Sequence, residues 1–179
     1  MEEHYSWRKA LEANRSDPNY THNLKSIETN MRKGYVYLAG RDCCFRPYIV
    51  TQTKLIKQSN LDLQELTELY QYFLDFIVEN LLLDGQVECW NVIFELKDLG
   101  IFSLPYKLLQ GISKFLQSNY RGRVFKMYFL NAPWAVKTAW NVCKGFLEET
   151  TRDKIQFSGS KDCKEMWDLT NRAQLEERF

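Results

Sequence analysis

Residues 120–157 read YRGRVFKMYFLNAPWAVKTAWNVCKGFLEETTRDKIQF, and the reading of this stretch decides the fold. A basic turn (Arg121, Arg123) passes into Val124–Leu130, a short apolar run rich in aromatic and branched residues. Such a run suits a strand buried on both faces. Asn131-Ala132-Pro133 breaks it, because proline has no N–H for a ladder and disfavours helix in the residue before it. From Trp134 a helical period takes over. Val136, Ala139, Trp140, Cys143, Phe146 and Leu147 share one face, opposite Lys137, Asn141, Lys144 and Glu148. Thr151 to Lys154 then lead into a second short strand, Ile155–Phe157.

Working outward, 34–38 (GYVYL) and Pro47–Gln52 (PYIVTQ) read as strands joined by AGRDCCFR. Leu63, Leu66, Tyr70, Phe73, Leu74, Ile77 and Leu81 recur at helical spacing, and Asp84-Gly85 ends that helix. Residues 88–96 (ECWNVIFEL) are the next buried strand, 104–119 a helix with Leu108, Ile112, Phe115 and Leu116 inward, and 161–169 a last helix. Upstream, residues 1–33 read as helical in pieces, turning at Asp17-Pro18-Asn19. Strands alternating with helices imply an α/β layer of mostly parallel strands with right-handed crossovers.

The run of basic turn, K-M-Y strand, N-A-P-W, aromatic amphipathic helix and T-x-x-K-I resembles the lipid-exchange core of CRAL-TRIO proteins, the phosphatidylinositol/phosphatidylcholine transfer proteins and their relatives. Gly40, Arg41, Asp42, Arg46 and Pro47 match that family's G-R-D-x-x-G-R-P turn, but Phe45 stands where the family has glycine. The resemblance implies a CRAL-TRIO fold over 34–179, with 1–33 a reduced N-terminal helical segment. It makes the helix over 134–147 a gate above an apolar lipid pocket. Trp90, Val92, Phe94, Tyr128, Trp134, Trp140, Cys143 and Phe146 are then the pocket candidates; periodicity alone favours plain core packing, and it is the resemblance that turns the reading towards a pocket. Thr151 and Lys154 match the family's headgroup-holding T-x-x-K. Two headgroup features differ: Gly122 replaces a carboxylate that contacts inositol, and Trp90 and Val92 replace small hydroxyl residues that hold choline lipid.

Composition is consistent with this reading. The chain has 179 residues, 45% hydrophobic and 26% charged, a formal net charge of +1 and 15% aromatics. That balance gives no global attraction to nucleic acid. No window holds the ~18 apolar residues of a membrane span, and the N-terminus lacks a signal-peptide core, so the expected location is cytoplasmic with transient membrane association. Both histidines, His4 and His22, lie upstream of the α/β core, which leaves no Ser-His-Asp or Cys-His site there. Phosphate-loop and dinucleotide motifs are absent. No catalytic residues, metal site or cofactor beyond a bound lipid are expected. Cys43, Cys44, Cys89, Cys143 and Cys163 lack metal-site spacing and read as free thiols, though adjacent Cys43-Cys44 could oxidise or bind a soft metal. Glu95 and Asp98 could form a carboxylate pair, but read more simply as solvated strand-end charges. The expected function is therefore exchange of a phospholipid or other hydrophobic ligand with membranes. A non-lipid interaction module with a filled pocket is the alternative, motivated by Trp90, Phe94 and Phe45. An α/β enzyme is the third reading.

Overall fold

Five strands form one sheet in the order β1 (Val36–Arg41), β2 (Pro47–Gln52), β3 (Trp90–Glu95), β4 (Val124–Leu130) and β5 (Ile155–Phe157). β1 runs antiparallel to β2, and every later pairing is parallel. This computed structural model describes residues 2–16, 21–99, 106–134, 136, 138, 140, 149–160 and 162–179. The helices include α1 (Glu2–Arg15), α2 (Thr21–Arg32), α3 (Thr53–Gln58), α4 (Leu63–Asn80), α5 (Tyr106–Asn119), α6 (Glu149–Arg152) and α7 (Lys164–Trp167), with a 3₁₀ turn at Arg172–Gln174. α4 starts with a reciprocal cap: Asp62 accepts from the Glu65 amide at 2.9 Å, and Glu65 accepts from the Asp62 amide at 3.1 Å.

One face of the sheet (Val36, Ile49, Trp90, Val92) lies under Leu66, Leu69, Phe73, Leu74 and Ile77 of α4 and Ile112 of α5. Both N-terminal helices join this core. Ile27 of α2 is buried in it, and the ring of Trp7 on α1 meets Phe115 and Tyr120 edge-on at 6.0 and 5.9 Å. Tyr48, Val50, Ile93, Tyr128 and Leu130 form the other face, covered by Cys163, Met166, Leu175 and Phe179. β2, β4 and β5 keep the bounds read from the sequence. β1 instead begins at Val36 and runs on through Ala39-Gly40, because Arg41 still pairs with Pro47. The last helix is shorter than the 161–169 read from its pattern.

Asp42 explains the G-R-D turn. Its carboxylate, fully shielded from solvent, accepts from the Cys44 and Arg46 amides at 2.9 and 3.0 Å, from Arg46 Nε at 2.6 Å and from Asn91 Nδ2 at 2.9 Å. Arg41 donates to the Phe45 carbonyl at 2.6 Å and the Leu81 carbonyl at 3.0 Å. Gly40 is required for another reason, since a Cβ there would lie 2.1 Å from the Gln174 carbonyl oxygen. The turn therefore keeps its shape despite Phe45, which takes the left-handed conformation (φ 63°) with its ring 66% exposed. A Cβ in that region costs ~1–2 kcal/mol that glycine avoids. Phe45→Gly is expected to raise the urea-unfolding free energy by about 1 kcal/mol, with Phe45→Ala close to unchanged; a loss in the glycine variant would mean that the ring is held by packing.

Two buried tyrosines make stability fall in alkali. Desolvation pushes Tyr48 and Tyr70 each up to about 12, against smaller opposing effects of hydrogen bonds with Thr170 and Thr51. A phenol raised above its unfolded value of ~10 keeps its full stabilising contribution below pH ~10 and loses it as pH climbs through the folded value. Urea midpoints should therefore decline from pH 10 towards 12, and Tyr70→Phe should flatten part of that decline. A flat profile in the parent protein would contradict the assignment.

Candidate functional site

The face that carries Trp90 and Val92 continues towards β5 as a row of aromatic rings at the carboxyl end of the parallel strands. Phe94 pairs with Phe129, and Phe129 with Phe157, in the strand register. Neighbouring strands lie ~4.8 Å apart, so same-face rings in register must stack: the centroids are 4.6 Å apart for Phe94–Phe129 and 4.8 Å for Phe129–Phe157, with interplanar angles of 11° and 22°. Trp140 closes the row, tilted 46° against Phe157 at 5.4 Å. All four rings are only half-buried, whereas Leu96, Leu99, Ala132 and Val136 beside them are buried. A half-exposed aromatic row at the carboxyl edge of parallel strands is where α/β folds place ligands.

The turn after β4 fixes the start of the helical residues that follow it. Asn131 takes φ 52°, which asparagine tolerates better than most residues. Its amide donates to the Ser160 carbonyl at 3.1 Å, the Ala132 amide donates to the Ser158 carbonyl at 2.8 Å, and the Ser158 amide returns to the Phe129 carbonyl at 2.9 Å. Asn131 Nδ2 also donates to Glu95 Oε1 at 2.9 Å. Trp134, Val136, Thr138 and Trp140 are helical. Val136 points into the core, and Trp134 is 77% exposed.

These positions separate the residues named from sequence. Phe94 and Trp140 belong to the aromatic row. Trp90 (1% exposed) and Val92 lie deep under α4 and α5, with the Trp90 ring edge-on to Tyr120 at 6.1 Å, and are core. Tyr128 projects from the opposite face, against Tyr48 and Met166, so it cannot share a cavity with Phe94. Strand alternation forbids what an unbroken apolar run conceals. Cys143, Phe146 and the body of the expected gate helix lie outside the described residues. Phe129 and Phe157 were missed; the signal available was their shared parity with Phe94 once the strands are aligned in register.

Thr151 and Lys154 sit at the other end of β5. Lys154 Nζ donates to the Val124 carbonyl at 2.8 Å, and its backbone carbonyl accepts from the Met127 amide at 2.8 Å. Thr151 is half-buried, and its carbonyl accepts from the Lys154 amide at 3.2 Å. Arg152, between them, has a shielded Nε with no acceptor. Glu95 and Asp98 form no carboxylate pair of the kind used in acid–base catalysis: Glu95 Oε1 accepts from Asn131 and the Lys97 amide, while Asp98 faces Lys54 at 3.1 Å. Among the described residues no cluster of three potential metal ligands occurs, and no helix is long and apolar enough to cross a membrane.

The chain is 40% identical over 78 residues to the Sec14 cytosolic factor of Schizosaccharomyces pombe, a match covering 42% of this chain and 27% of that protein. It is 34% identical over 76 residues to the SEC14 cytosolic factor of Yarrowia lipolytica, covering 41% of this chain and 15% of that one. Each match thus spans less than a third of the relative's length. The crystal structure of Sfh5 shares the fold, with a TM-score of 0.61 at 12% identity over 71% of this chain and 48% of that one. The CRAL/TRIO domain family matches residues 31–179. With the mixed sheet, the G-R-D turn and the N-A-P-W entry in place, the chain belongs to the CRAL/TRIO domain family.

Proposed function

We propose that this protein binds a phospholipid or similar hydrophobic ligand against the Phe94–Phe129–Phe157–Trp140 row, under the helix that begins at Trp134, and exchanges it with membranes. The observation that carries this reading is the row itself: four rings left half-exposed beside a fully packed core. Membership of the CRAL/TRIO family supports it. The protein acts as a carrier rather than an enzyme, from the cytoplasm, with residues 1–33 as a helical segment ahead of the lipid-binding domain at 34–179.

Thr151 and Lys154 are assigned to the headgroup. An ammonium has three donors, so Lys154 can hold the Val124 carbonyl and still reach a phosphate oxygen; Arg152 Nε offers another donor two residues away. Phosphatidylinositol is the preferred candidate by the T-x-x-K pattern, and Gly122, which removes a carboxylate, is where selectivity against other headgroups is expected to weaken. Trp90 and Val92, filled into the core, favour an interaction module only if no lipid is found.

The deciding experiment is mass spectrometry of organic extracts after incubation with mixed phospholipid vesicles. One lipid per chain is expected. A protein that carries none as purified and extracts none from vesicles would sink the proposal. Trp134 supplies a further prediction. An indole this exposed at the start of an amphipathic helix suits the membrane interface. Trp134→Ala should change stability by less than ~0.5 kcal/mol while weakening vesicle association about tenfold, equivalent to ~1.4 kcal/mol. Unchanged sedimentation with vesicles would remove Trp134 from the membrane contact.

A further inference from the structure

The G-R-D turn carries two adjacent exposed thiols that the lipid reading does not use. Cys43 and Cys44 lie with their sulfur atoms 3.9 Å apart, close enough to share a proton. The remaining described cysteines are less accessible: Cys89 is half-buried and Cys163 buried. We propose that Cys43 and Cys44 form a vicinal dithiol that small-molecule disulfides oxidise reversibly to an intrachain disulfide, altering the turn that Asp42 organises.

The chemistry balances. The thiolate of one cysteine attacks a sulfur of the small disulfide, expels one thiolate and leaves a mixed disulfide. The neighbouring cysteine gives its proton to solvent, attacks the protein sulfur of that bond and expels the second thiolate. Two protein thiols have lost two electrons and two protons, and one small disulfide has become two thiols. Proximity favours the second step, since the resolving sulfur is already in contact with the first.

The ring that forms is strained by covalent adjacency. Consecutive Cα atoms are ~3.8 Å apart, below the ~4.4 Å lower end of ordinary disulfides. Strain makes such a bond easy to reduce, which marks labile rather than permanent disulfides. It also reaches the turn. The Cys43 amide donates to the Leu169 carbonyl at 2.8 Å, and the Cys44 amide donates to Asp42 Oδ1 at 2.9 Å. Both amides flank the sulfurs that must close up, so closure disturbs the tie to the C-terminal segment and one bond of the Asp42 hub. The hydrogen bond with Cys44 pushes the Cys43 thiol above its ordinary value, so exchange accelerates as pH rises above neutral.

The test treats the intact protein with oxidised glutathione, then applies peptide mass spectrometry and urea unfolding. The peptide containing Cys43 and Cys44 is expected to lose two hydrogen atoms and to recover them with reduced glutathione. Cys43→Ser and Cys44→Ser should each retain one glutathione at the remaining thiol. The oxidised parent should unfold at lower urea than the reduced parent, and the double serine variant should show no such difference. Persistent glutathione on either thiol of the parent, or reaction at Cys89 while this pair stays reduced, would overturn the proposal. Equal midpoints for the oxidised and reduced parent would overturn its coupling to the turn. No lipid enters the assay, so the result is independent of the proposed ligand.

Discussion

Asp42→Ala is expected to lower the unfolding free energy by about 3–5 kcal/mol, the range for removing one partner of a buried ion pair. Four donors converge on this carboxylate: two turn amides, Arg46 Nε and Asn91 Nδ2. Alanine leaves all four without it. Arg46 suffers most, because its side chain is only 12% exposed and lies with its guanidinium carbon 3.3 Å from the centroid of the Phe125 ring. Asn91 is fully buried, and its Oδ1 has no partner already, so losing Asp42 would orphan the whole amide. Removing the stranded charge should recover part of the loss: the double variant Asp42→Ala/Arg46→Met is expected to be more stable than Asp42→Ala alone, a non-additivity typical of residues in one network. Urea titration of the three proteins checks this. A cost for Asp42→Ala below about 1 kcal/mol, the level of a single ordinary hydrogen bond, would show that water replaces the carboxylate and that the turn is held by its backbone.

The same turn shows where the sequence could be read and where it could not. Gly40, Arg41 and Asp42 were legible as a motif, but their separate tasks come from contacts with residues far along the chain. Gly40 faces Gln174, Arg41 reaches the Leu81 carbonyl, and Asp42 receives Asn91. No local pattern encodes those approaches. β2 and β5 were legible because turn residues and helix starts bracket them sharply. β4 was legible as an element but not as a surface. VFKMYFL is apolar at every position but Lys126, so period-two alternation does not reveal which parity faces the ligand side. The β3–β4 register also shifts between Trp90 and Asn91, which pair with Val124 and Lys126, so counting from the strand start misassigns the faces. Tyr128, a pocket candidate by the resemblance, therefore falls on the face of Tyr48 and Met166, while its neighbour Phe129 shares the face of Phe94. Trp90 differs for another reason: it shares parity with Phe94 but lies at the amino end of β3, where α4 and α5 already cover the sheet.

Phe129 therefore bears the second large expectation, because it is the centre of the aromatic row. Phe129→Ala removes a ring stacked on both sides and should cost about 3 kcal/mol, the low end for Phe→Ala because the side chain is half-exposed. Phe129→Leu keeps most of the apolar area and loses only the ring–ring geometry, a difference of ~0.5–1.5 kcal/mol. Ligand loading separates core packing from a binding floor. A ligand that binds only the folded state raises its melting temperature, so vesicle-loaded parent protein should melt higher than delipidated protein. Under the proposed reading Phe129→Leu keeps part of that shift. Phe129→Ala, assayed at a temperature where it remains folded, loses nearly all of it, because the cavity left between Phe94 and Phe157 breaks the continuous surface on which an acyl chain would lie. If Phe129→Ala instead kept the full shift while losing its 3 kcal/mol, the row would be core packing, and the ligand surface would have to be sought on the residues beyond Trp140.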